Sequence, residues 1–241
     1  MRFSRRELLR GAAGTVALGM TAWAVPRPPV AAAKPDLGTI IDYSRGVPAA
    51  TAIAEAGYTG VIRYVSDRRP GAEWMLGKPL KSDEVAALRE ADLEIVSCYQ
   101  FGKGPTADWR AGREAGRKHA TRGLELHRAA GGPDNTPIYA SIDDNPSDAE
   151  LAESVAPYIA GWVDVLGADR TGVYANSPTI DHLLEQKLGT WFWQHDWGTP
   201  DGYVHPKAHL HQFEIDQRDL DGVRIDRNKI LQADYGQWSL A

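Results

Sequence analysis

The sequence predicts an α/β chain folded as a TIM-like barrel: five βα units followed by three strands that lack helices. Three observations carry this prediction. β-branched apolar runs of strand length alternate with segments of helical apolar spacing as far as Gly189, and strict alternation builds a parallel sheet. Three more strand-like runs then follow with no convincing helix between them. Eight strands in 241 residues suit closure into a barrel of roughly 200–250 residues. An open nucleotide-binding sheet has no support, because no G-x-G-x-x-G follows the first strand and no P-loop motif occurs.

Residues 1–33 are assigned to a leader and 34–241 to the barrel. MRFSRRELLR places basic side chains before the apolar run GAAGTVALGMTAWAV. That run is shorter than the about 20 apolar residues of a membrane span, so it reads as an export signal that leaves no stable span after cleavage. Arg5 and Arg6 within S-R-R-E-L-L resemble a twin-arginine signal, which makes the twin-arginine translocase the expected partner during export. The small residues of VAAAKP place cleavage after Ala33, with Ala24 as a second site. The expected destination is extracellular or cell-wall associated.

Loss of that leader removes five Arg and one Glu, leaving 22 basic against 31 acidic side chains, a net charge of −9. A chain this acidic does not bind nucleic acid through a broad basic surface. Cys98 is the only cysteine, so neither an internal disulfide nor a Cys-based zinc site can form. Stability must come from the core, and 43% hydrophobic residues suffice to build one. No cofactor is expected.

GTIIDYS (38–44) is β-branched and then polar, and Ala50, Ile53, Ala54 and Gly57 follow at helical spacing. GVIRYVS (60–66) is the second strand. SDEVAALREADL (82–93) is a helix with Ser82 as the expected N-cap and acids in its first turn, which suits the helix dipole. EIVSCYQ (94–100) is the third strand, and residues 106–132 form a long helix stopped by Gly131–Gly132. PIYASID (137–143) is the fourth strand. The helix over 147–167 opens with Ser147 and Glu150 as a capping box and is expected to kink at Pro157. TGVYANS (171–177) is the fifth strand, and Ser177 as the expected cap with Pro178 at the first helical position starts a helix that ends near Gly189. TWFWQHDW (190–197), HLHQFEID (209–216) and GVRIDRNKI (222–230) complete the eight.

Barrels of this kind place their active sites at the C-terminal ends of the strands, and those ends are polar here. They offer Asp42 and Ser44; Arg63 and Asp67; Tyr99 and Gln100; Asp143, Asp144 and Asn145; Tyr174 and Asn176; Gln194, His195 and Asp196; Gln212, Glu214 and Asp216; Asp226 and Asn228. Carboxylates converging on one mouth raise one another's pKa, a cost that use or neutralisation must offset. Arg63 is the expected neutraliser. Alternation puts Tyr139, Ser141 and Asp143 on the inward face of the fourth strand, with Ala140, Ile142 and Asp144 under the helices. Asp144 is then expected to brace Asn145–Pro146 before the next helix or to contact substrate.

Aromatic residues point to sugar. Trp191, Trp193, Trp197 and Trp238 crowd the last third of the chain, and indole faces stack on the C–H faces of sugar rings. Trp191 and Trp193 also suit the barrel core, so Trp197, at a strand end, is the expected platform. A rival reading uses His209 and His211, an H-x-H pair able to hold a hydrolytic metal.

The leader, LGTIIDYSRGVPAATAIAEAGYTGVIRYVSDRRPG, IVSCYQFGKG, PIYASIDDNPS, TGVYANS, FWQHDWG, HLHQ and IDRNKIL together resemble the actinobacterial, twin-arginine-exported glycoside-hydrolase-like domain family. That family in turn resembles the family 25 lysozymes, whose barrel has five βα units and three bare strands. The resemblance implies an acid on strand one, matched by Asp42, and a D-x-N-like element on strand eight, matched by Asp226 and Asn228. On strand four the lysozymes carry D-x-E. Here either S-I-D (141–143) or D-D-N (143–145) stands in its place, and neither has the glutamate, so lysozyme activity does not follow from the fold.

The expected function is an exported glycoside-hydrolase-like protein acting on a cell-envelope polysaccharide or peptidoglycan. Asp143 is the expected general acid, with Asp42, Glu214 or Asp226 as its partner. Arg63, Tyr99, Gln100, Asp144, Asn145, Tyr174, Asn176, Gln194, Trp197 and Asn228 are the expected substrate contacts. The alternatives are a non-catalytic glycan-binding barrel and a metal-dependent hydrolase.

Overall fold

A computed structural model describes residues 36–238, and the leader assigned to residues 1–33 lies outside them. Eight strands close into a barrel in sequence order: β1 (Thr39–Asp42), β2 (Gly60–Tyr64), β3 (Glu94–Tyr99), β4 (Ile138–Ser141), β5 (Thr171–Ala175), β6 (Trp191–Gln194), β7 (Leu210–Leu220) and β8 (Val223–Ile230). Adjacent pairs from β1 to β7 are parallel. Strand β8 runs antiparallel to both β7 and β1. It returns directly from the tip of a long β7–β8 hairpin, a connection too short for a parallel crossover. Asp226 therefore reaches the mouth from the middle of its strand, opposite Asp42, rather than from a strand end.

Strand alternation sorts the apolar side chains into two layers. Ile40, Ile62, Val96, Cys98, Tyr139, Tyr174, Trp193, Leu210 and Ile230 fill the barrel interior. Ile41, Val61, Ile95, Ala140, Val173 and Phe192 pack under the helices. The inward phase expected for Tyr139, Ser141 and Asp143 holds, and Ala140 and Ile142 face the helical layer.

The helices are α1 (Ala50–Glu55), α2 (Ser82–Glu90), α3 (Gly112–Ala129), α4 (Asp148–Glu150), α5 (Ala156–Leu166) and α6 (Ser177–Glu185). Three expectations need correction. Ser82 is the first helical residue of α2; Lys81 occupies the cap and offers no side-chain bond. Helix α3 begins six residues late, after two 3-10 turns, Gly104–Thr106 and Asp108–Ala111. Asn176, not Ser177, caps α6, its side-chain oxygen accepting from the Thr179 amide. The Ser147–Glu150 capping box forms as expected. It opens a helix in which the π-helical stretch Leu151–Val155 joins α4 to α5, just ahead of Pro157. Helices α3 and α5 approach backbone to backbone: a Cβ on Gly116 would lie 2.1 Å from the Tyr158 carbonyl oxygen, and one on Gly161 2.2 Å from that of Arg113. Among the described residues, no helix is long and apolar enough to cross a membrane.

Candidate active site

Asp42 lies at the floor of the mouth, almost wholly buried. Its Oδ1 accepts from the Tyr64 hydroxyl at 3.1 Å, and its Oδ2 accepts from Gln212 Nε2 and Asn228 Nδ2, both at 2.9 Å. Burial raises its pKa, and these three donors oppose the rise. Asn228 is fixed in turn by Trp193 Nε1, which donates to Asn228 Oδ1, and Gln212 Oε1 accepts from the Tyr174 hydroxyl.

Across the β1–β8 ladder stands Asp226, whose Oδ1 accepts from the Asp216 backbone amide at 2.7 Å. Burial and then the nearby Asp42 push its pKa up to about 8. Two carboxyls this close keep a proton between them near neutrality. The three donors favour the charge on Asp42, so the proton rests on Asp226. Asp143 behaves oppositely. Burial pushes it up, but the Lys103 ammonium, 2.8 Å away, and Gln100 Nε2, at 3.0 Å, outweigh burial and hold it below the usual carboxylate range. Of these two acids, Asp226 thus favours the proton and Asp143 the charge.

These groups line a cavity of about 300 Å³. Asp143, Asp226, Gln100, Ser141, Tyr64 and Tyr174 form its polar base, and the more exposed Arg45, Arg69, Lys103, Trp74, Ile215 and Asp216 its rim.

A family model described as "Rv2525c-like, glycoside hydrolase-like domain" matches residues 51–230. The chain belongs to this family. Rv2525c of Mycobacterium tuberculosis, a candidate peptidoglycan hydrolase by name, is 54% identical over 242 residues, covering 99% of this chain and all of that protein. A crystal structure of that protein, described as Tat-secreted and in complex with L-tartrate, superposes with a TM-score of 0.84 at 58% identity, over 84% of this chain and 100% of that one. The bacterial lysozyme from Streptomyces coelicolor shares the fold at 17% identity and a TM-score of 0.53, over 81% of this chain and 93% of that one.

In this Rv2525c-like barrel several residues expected at the mouth face elsewhere. Arg63 follows inward Ile62 and points outward, wholly buried. It donates to the carbonyls of Tyr43 and Gly77 and pairs with Glu84, so it neutralises a helix acid rather than the mouth. Tyr99 likewise faces α3, where its hydroxyl meets His119 Nδ1. Glu214 fails through register: Gln212 pairs with Asn228 but Glu214 with Arg227, so a bulge at Phe213 reverses the phase. Glu214 turns to Arg218 and Arg227, which lower its pKa, and Ile215 takes the inward place.

Asp144 pairs with Arg110 and accepts from the Asn145 amide, which is the bracing role. Asn145 Oδ1 accepts from Asn176 Nδ2, so both amides hold the β4 and β5 loops together. Of the two possible strand-four pairs, the mouth therefore receives Ser141 and Asp143, not Asn145. Gln194 is engaged by the backbone of Tyr203 and His205. Trp197 is 58% exposed but does not line the cavity. Trp238 is buried, donating to Ser97 Oγ, and Trp191 donates to the Asp169 carbonyl. His209 accepts from the Phe192 amide and His211 pairs with Asp196, which separates their roles. Among the described residues, no group of three or more His, Cys, Asp and Glu side chains forms a metal cluster.

Gln100, Tyr174, Asp143 and Asp226 reach the cavity as expected, with Asp42 and Asn228 beneath it. The sequence reading missed Tyr64, Lys103, Arg45, Arg69 and Trp74. Tyr64 was within reach: it shares the inward phase of Ile62. The others sit on loops, where no periodicity marks them.

Proposed function

We propose that this chain is an exported glycoside hydrolase that acts on a cell-envelope glycan of the peptidoglycan class. The observation that carries the reading is the opposite setting of two carboxyls in one open cavity: Asp226, buried and facing Asp42 across the β1–β8 ladder, is pushed up to about 8, and Asp143, 2.8 Å from the Lys103 ammonium, is held low. Cleavage of a glycosidic bond needs an acid to protonate the leaving oxygen. It also needs a carboxylate to stabilise the oxocarbenium-like centre, attack it or activate water. Asp226 takes the first role and Asp143 the second, which reverses the role expected for Asp143 from sequence. Burial, and then the charge on Asp42, held by Tyr64, Gln212 and Asn228, keep Asp226 protonated. Where the substrate carries an N-acetyl group, that group can attack while Asp143 orients it. Trp74, 46% exposed on the rim, supplies the sugar platform. The name of Rv2525c supports the substrate class, and its description as Tat-secreted supports export, as do Arg5 and Arg6 and the assignment of residues 1–33 to a leader.

One observation favours a second reading, a non-catalytic glycan-binding barrel: Lys103 already occupies Asp143 Oδ2. Purified wall glycan separates the two. Asp143→Asn is expected to abolish cleavage while binding survives, because the amide keeps the shape and loses the charge. Binding without cleavage by the unmodified protein would establish the binding module instead. No affinity for any envelope glycan would overturn both.

A further inference from the structure

The rim of the cavity carries two arginines that no acid of the mouth pairs. Lys103 has its partner in Asp143. Arg45 and Arg69, which line the same cavity, have no salt bridge among the described residues; Asp67, the acid nearest Arg69 in sequence, pairs with Arg122. The Arg45 guanidinium lies over the Trp74 ring, 4.8 Å from its centroid, and Arg69 Nη1 reaches only the Met75 sulfur, at 3.9 Å. A guanidinium has five N–H donors in a fixed fork, and these contacts leave most of them unused. Lys103 is matched by Asp143, and the Asp42 charge is already met by its three donors at the floor, so Arg45 and Arg69 are the cations left with free donors at the opening. Guanidinium forks match carboxylates and phosphates in two-point geometry, and an indole beside them suits the apolar face of a sugar.

We infer that this rim selects a glycan bearing an anionic substituent, forked by Arg45 and Arg69 while a sugar ring rests beside Trp74. The inference rests on the proposed glycan-directed function and names its substrate class. It predicts that charge on the sugar, not ring shape alone, governs affinity.

Titration calorimetry on the Asp226→Asn protein tests it, since the amide preserves the uncharged side chain and prevents turnover. The probes are an N-acetylated oligosaccharide bearing one sugar carboxylate, its methyl ester, and a phosphodiester-linked sugar polymer. The free acid is expected to bind about tenfold or more tightly than the ester at low salt, the worth of one charge-assisted hydrogen bond. Arg45→Gln with Arg69→Gln is expected to bring the acid down to the ester's affinity and leave the ester unchanged, with an unaltered melting temperature. Stronger binding of the phosphodiester than of the carboxylate, lost in the same double variant, would uphold the inference and make the recognised group a phosphate. Equal binding of acid and ester, or a gap that survives the double substitution, would overturn the inference and leave the glycan reading intact. No binding of any probe would overturn both.

Discussion

Replacing Asp226 with asparagine removes an ionisable proton and little else, because the amide oxygen can still accept from the Asp216 amide. The native protein holds that proton up to about 8, against an ordinary carboxyl value of 3.8. Below both values native and unfolded chains are equally protonated at this site, so Asp226 imposes no penalty. Between them the unfolded chain releases the proton and the native chain keeps it, so native stability falls as pH rises. Above about 8 the loss is complete. At about 1.4 kcal/mol per pH unit, a ceiling of roughly 6 kcal/mol follows. The cavity is open to water and the charge on Asp42 is already met by three donors, so about 2–3 kcal/mol is the reasonable expectation. Asp226→Asn is therefore expected to match the parent near pH 4 and to exceed it above pH 8, by roughly 5–10 °C in melting temperature for a domain of this size. Glycan cleavage is expected to disappear in the same variant. Thermal denaturation across pH 4–9 reads the first result and product analysis the second. A stability difference that is constant with pH, or one that favours the parent at high pH, would refute the assignment of the proton to Asp226.

In the parent, cleavage is expected to fall as pH rises past about 8, where the acid Asp226 is lost. Lys103→Gln takes away the ammonium that holds Asp143 low, so the acid limb of the pH–rate profile should move to higher pH; the half-exposed ion pair itself is worth only about 0.2–1 kcal/mol of stability. Arg63→Leu leaves the Glu84 carboxylate and two buried carbonyls without their partner and should cost about 3 kcal/mol or more by chemical denaturation. Glycan affinity should persist wherever that variant remains folded, which a residue of the mouth would not allow. Lysine at both Arg5 and Arg6 should retain the precursor in the cytoplasm on fractionation; normal secretion would dismiss the twin-arginine assignment.

The architecture was legible because it rests on period and count. Alternation of β-branched runs with helical spacing, and its end at Gly189, set the five βα units and three bare strands that the barrel shows. The inward phase of Asp143 was legible for the same reason: Ala140 and Ile142 needed the apolar helical layer. Strand direction is not carried by period; only the short connection between 216 and 222, too short for a parallel crossover, signals it. An antiparallel β8 and a parallel one have the same residue period, yet only the former sets Asp226 against Asp42. The bulge at Phe213 was equally silent, since one unpaired residue leaves no mark on composition but turns Glu214 outward and Ile215 inward. Arg63 shows the limit from the other side. A cation at a strand end looks like a neutraliser of mouth acids, but its phase sends it to Glu84. The sequence by itself determined the barrel and nominated acids for its mouth. Only the tertiary structure decided which acid keeps a proton, because a pKa depends on burial and on charges brought close by the fold: Asp42 beside Asp226, and Lys103, from a loop 40 residues earlier, beside Asp143.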